Sequence, residues 1–89
     1  MIINNRFFVR FEPNFDSKCK CIIFDERDDK IYQMSEMYYH YIKLDKQSFS
    51  YLLEEKYMVK NNEEKEKIIS TIRNNLKIIG INYESYTNL

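Results

Sequence analysis

Lys20-Cys21-Ile22-Ile23-Phe24-Asp25 and Lys30-Ile31-Tyr32-Gln33-Met34 are two short strand-like runs joined by the charged turn Glu26-Arg27-Asp28-Asp29. Cys19, Cys21 and Ile23 alternate with Lys20, Ile22 and Phe24, which gives one apolar face and one mixed face. The turn has no glycine and is longer than two residues, and the spacing predicts an antiparallel hairpin across it. Three helical patterns follow, the last stopped by Gly80. Strands first and three helices after is an order that few small domains use.

Outward from the hairpin, Phe7, Val9 and Phe11 alternate with Phe8 and Arg10 and predict an earlier strand, ended by Pro13 and Asn14. The sequence thus predicts an α+β fold, a three-stranded antiparallel sheet followed by three helices. Ser35 is placed to cap the first helix, with Met37, Tyr38, Tyr41 and Ile42 on one stripe and Tyr39 and His40 facing outward. Asp45 is placed to cap the second helix, whose buried face is Phe49, Leu52, Leu53 and Tyr57, with Met58 and Val59 packing as the chain leaves it. Asn61 or Asn62 caps the third helix, and Glu63 and Glu64 suit its positive end. Ile68, Ile69, Ile72, Leu76 and Ile79 form its apolar stripe, with Gly80 in the left-handed position and Ile81 turned back to the core. Residues 1–81 are expected to form one domain and residues 82–89 a tail.

Composition narrows the function classes. The chain has 89 residues, room for one domain, and its 44% hydrophobic and 16% aromatic content supports a packed core rather than disorder. With one Gly and one Pro, tight turns fall to Asn and Asp. Fourteen Lys plus Arg balance fourteen Asp plus Glu, so no basic surface is expected to recruit nucleic acid. No apolar run reaches the ~18 residues of a membrane span, and residues 1–5 carry no secretory pattern, so no membrane partner and a cytoplasmic location are expected.

Catalytic and metal chemistry find few residues. His40 is the single histidine, and Cys19 and Cys21 supply only two thiols, short of the four ligands of a closed zinc site. The two cysteines share one strand face and read as small apolar side chains. Asp28-Asp29 and Glu54-Glu55 are adjacent pairs whose members diverge, and both read as solvated surface. Neither a glycine-rich loop nor a G-x-S-x-G is present, so no catalytic residue, no metal, no cofactor and no enzymatic activity are expected. What remains is an edge. The strand Ile31–Met34 lies outermost in a sheet of three, and bare edges attract another strand. An extended peptide adds there through main-chain hydrogen bonds, with the last helix as a second wall. The alternative is that the N-terminal strand or the tail covers that edge.

Ile23-Phe24-Asp25-Glu26 and Lys30-Ile31-Tyr32-Gln33-Met34-Ser35 resemble the PqqD-like domains, which recognise precursor peptides in ribosomal peptide modification. Asp45, the Leu53-Glu54-Glu55-Lys56-Tyr57 segment, and Ile69, Ile72, Leu76, Gly80 and Ile81 continue the resemblance in order. It departs from the family's pattern at Asp28-Asp29, Ile68 and Arg73, where the family often has Gly, Asp and Leu. The resemblance implies a winged-helix-like domain that binds the leader segment of a precursor peptide and presents it to a modifying enzyme, such as a radical SAM or ATP-dependent maturase. Carried onto this chain, it implies that Ile31, Tyr32, Gln33 and Met34 supply the pairing edge and Ile68, Ile72 and Arg73 the helical wall. The runner-up is a winged-helix nucleic-acid-binding or regulatory domain, which the acidic turn Asp25 to Asp29 disfavours.

Overall fold

The computed structural model describes residues 1–14 and 18–82. Its elements run β1 (Ile2–Ile3), β2 (Phe7–Phe11), β3 (Cys21–Asp25), β4 (Lys30–Met34), α1 (Glu36–Lys43), α2 (Lys46–Glu55) and α3 (Asn62–Ile78). The fold is α+β, with one antiparallel sheet in the order β1-β2-β3-β4 and three helices. The chain divides into two compact units, Met1–Asp45 and a second beginning at Lys46.

The sheet has four strands, not the three expected. The extra strand is β1, which pairs Ile2 with Phe8 and Ile3 with Phe7. Two residues are too few for a period of two to register in sequence. The turn that returns them is built by Asn4 and Asn5, which both take positive φ, 54° and 55°. The Arg6 N–H donates to the Ile3 carbonyl across them at 3.0 Å. That is the mirror-image tight turn whose twist matches paired strands, and asparagine tolerates it best after glycine. The β3 strand also starts later than the sequence pattern, at Cys21 rather than Cys19.

In the first unit, Ile3, Phe7, Val9, Cys21 and Ile23 point to one face of the sheet and are buried with Tyr41 of α1. That face is covered by α1, which lies against β2 and β3. Tyr39 and His40, expected to face outward, instead lie on Phe11, with ring centroids 5.3 and 6.3 Å away. A helix of only two turns set across β2 brings both to the strand's aromatic end. Ser35 stands at the N-cap with extended backbone, but its hydroxyl makes no capping hydrogen bond.

In the second unit, Phe49 and Leu53 of α2 and Ile72 and Leu76 of α3 are buried together with Ile81. The Asn61 side chain caps α3 by accepting from the N–H groups of Glu63 and Glu64 at 2.7 and 3.4 Å. The helix ends as its glycine implies: Gly80 has φ 106°, its N–H reaches the Lys77 carbonyl, and the Ile81 N–H reaches that of Leu76. The end of α2 uses the same device without glycine. The Val59 N–H donates back to the Leu53 carbonyl at 2.9 Å, and Met58 sits between them at φ 57°. Met58 is 75% exposed, so it turns the chain rather than packing as expected. Lys65 is buried, donating to Ser50 Oγ at 3.0 Å and pairing with Glu54 at 3.3 Å, a polar tie between α2 and α3 that periodicity did not reveal.

Candidate functional site: the open edge of the sheet

The site is built from the hairpin outward. Asp25 closes β3 and is fully buried. Arg6 grips its carboxylate with two bonds of 2.8 Å, and the N–H groups of Arg27 and Asp28 donate to the same carboxylate at 3.1 and 3.4 Å. A buried carboxylate is tolerated only with such satisfaction. The Arg6 guanidinium and the turn amides hold the Asp25 carboxyl down to about 2. One residue thus anchors the first strand's turn, the hairpin bend and the start of β4. The bend itself needs Asp29 at φ 54°, a position Asp accepts more readily than most residues.

The register then fixes which backbone groups β4 offers to solvent. The Glu26 N–H donates to the Arg6 carbonyl at 2.9 Å, and the Glu12 N–H to the Lys20 carbonyl at 2.8 Å. In an antiparallel ladder, bonded pairs alternate with unbonded ones, so the bonded pairs between them are Phe8 with Phe24 and Arg10 with Ile22. The Val9 N–H bond to the Met1 carbonyl, on the other side of β2, agrees with this phase. Cys21, Ile23 and Asp25 therefore turn their amides toward β4, where they meet Met34, Tyr32 and Lys30. The N–H and C=O groups of Ile31 and Gln33 point the other way. Among the described residues no strand pairs on that side.

Of the four residues assigned to the pairing edge, Ile31 and Gln33 are exposed and supply the outward backbone groups. Tyr32 and Met34 are half-buried on the face that α1 covers, and their amides are spent within the hairpin. On α3, Ile68 and Arg73 are half-buried, while Ile72 is 2% exposed and belongs to the core of its unit. Neither cysteine forms a disulfide, and burial pushes the Cys21 thiol up to about 12, which makes it inert. No group of three or more His, Cys, Asp or Glu side chains among the described residues is gathered for a metal ion. No helix among them is long and apolar enough to cross a membrane.

Comparison with family models, with curated proteins and with solved structures gives no match for this chain.

Proposed function

We propose that the chain binds an extended peptide by strand addition to β4, and that this peptide is the leader segment of a ribosomally synthesised precursor. The observation that carries the first half is the outward pair of Ile31 and Gln33 on an edge strand of full length. Unsatisfied amides spaced two residues apart are the template an added strand requires. The second half, the class of peptide, rests on the resemblance of Ile23 to Ser35 to the PqqD-like domains, as does the winged-helix-like label. The chain does no chemistry in this scheme. It tethers the precursor so that a separate maturation enzyme meets the core peptide at high effective concentration. A nucleic-acid partner finds less support, since the hairpin tip sets Glu26, Asp28 and Asp29 against Arg27.

The direct test is titration of labelled leader segments from precursor peptides encoded beside the gene, followed by fluorescence anisotropy. Saturable binding in the micromolar range or tighter is expected. An absence of saturation with every such leader, alongside binding to duplex DNA, would overturn the proposal in favour of the nucleic-acid reading.

A further inference from the structure

The face of the sheet turned away from α1 carries an apolar row that runs the full width of the ladder. Ile2 stands opposite Phe8, Phe8 opposite Phe24, and Phe24 opposite Ile31. The two central rings are 6.3 Å apart. The row ends in two largely bare side chains, Ile2 at 57% and Ile31 at 66% exposed. A sheet covered on one side ordinarily alternates apolar inward with polar outward. The next row follows that rule only in part, with Arg10 and Gln33 on either side of Ile22. An unbroken row of four is thus a departure from that alternation.

We infer that the row selects the sequence of the incoming strand: the guest residue opposite Ile31 is a β-branched or aromatic residue that completes the row as its fifth member. This rests on strand addition to β4. The backbone geometry makes the match specific. Ile31 is one of the two residues whose amides face outward, so a guest added antiparallel forms a bonded pair with it, and the two side chains stand on the same face. Directly opposed side chains are the unit by which a sheet is stabilised, and a β-branched residue such as Ile31 pairs favourably with an apolar or aromatic partner. On either side of that residue the guest turns its side chains to the opposite face, beside Tyr32 and toward Lys30. Opposite Gln33 the guest returns to the row's face, where a polar residue is matched. The guest code is therefore apolar at one position and polar two residues away on the same face.

The row also argues against self-pairing as its purpose. A two-fold pairing of β4 with β4 of a second copy over the whole strand centres on Tyr32 and sets each Ile31 against Gln33, which ends the row instead of extending it.

The test is selection of random extended peptides displayed against the full chain and against Ile31→Glu, an exposed substitution that leaves the core intact. With the native chain, enriched peptides are expected to share a β-branched or aromatic residue at the position opposite Ile31. The Ile31→Glu chain is expected to bind those peptides about fivefold or more weakly and to enrich Lys or Arg at that one position. N-methylation of alternate amides of an enriched peptide, which leaves the protein untouched, is expected to abolish binding in one phase and spare it in the other. If binding depends on that phase but Ile31→Glu changes neither affinity nor the preferred residue, the row does not select and this inference fails while strand addition stands. If N-methylation has no phase, or if the chain enriches nothing and elutes as a dimer, strand addition itself fails and takes the inference with it.

Discussion

The two edges of the sheet are finished differently. On the β1 side the outermost strand is two residues long, is folded back by Asn4 and Asn5, and turns the amide of Ile2 alone to the outside. On the β4 side the outermost strand runs five residues, with no proline and no bulge in its register. Natural sheets blunt their edges by shortening, by bulges or by proline. The first edge is blunted in this way and the second is not, beyond a lysine at its start. An edge left long beside one that is cut short is the pattern expected when only one of them is meant to be extended.

The strongest way to break that contrast is to remove amides from β4 one at a time. Tyr32→Pro deletes a donor that faces β3, and it should lower stability by about 2 kcal/mol or more, read by chemical denaturation. Gln33→Pro deletes a donor that faces solvent. It should leave the melting transition nearly unchanged and weaken peptide binding by about tenfold or more, the fold-change of a lost backbone pair. If the two variants exchange roles, the ladder phase is the opposite of the one described.

Acid offers a softer probe. The Asp25 carboxyl is held at about 2 against an ordinary 3.8. A depressed acid contributes stability above its unfolded value, and that contribution is lost as pH falls through the folded one. The β3–β4 hairpin should therefore loosen between about pH 4 and pH 2, and the Asn4-Asn5 turn with it, because Arg6 ties that turn to the same carboxylate. Amide exchange across that range should rise first at β4, and Asp25→Asn should remove the pH dependence. The smallest effect belongs to the blunt edge: Asn5→Gly suits the turn's positive φ and should add a few tenths of a kcal/mol, with peptide affinity unaltered.

Where the sequence was legible, the physical signal was periodic or chemical. The alternation of Cys21 to Asp25 and Lys30 to Met34 showed the hairpin, the stripe from Ile68 to Ile79 showed α3, and Asn61 and Gly80 marked its ends because each satisfies amides or carbonyls that nothing else reaches. The edge itself was legible as an outermost strand. Its phase was not, because which amides face outward depends on register with two neighbours and so on contacts distant in sequence. For the same reason Tyr32 and Met34 looked equivalent to Ile31 and Gln33. Met58 escaped because a left-handed residue without glycine leaves no mark in composition. Asp25 carried a mark, a carboxylate ending an apolar run, whose meaning depends on Arg6 nineteen positions earlier.

That left-handed methionine gives experimenters a useful handle. Left-handed backbone is strained for a residue with a Cβ, so Met58→Gly should raise the free energy of unfolding by about 1 kcal/mol, read by chemical denaturation. It shares no residue with the β4 ladder. A chain hardened there supplies a spare margin against which damaging changes at the sheet can be measured in the folded state, turning a strained connector into a calibration screw for the rest of the molecule.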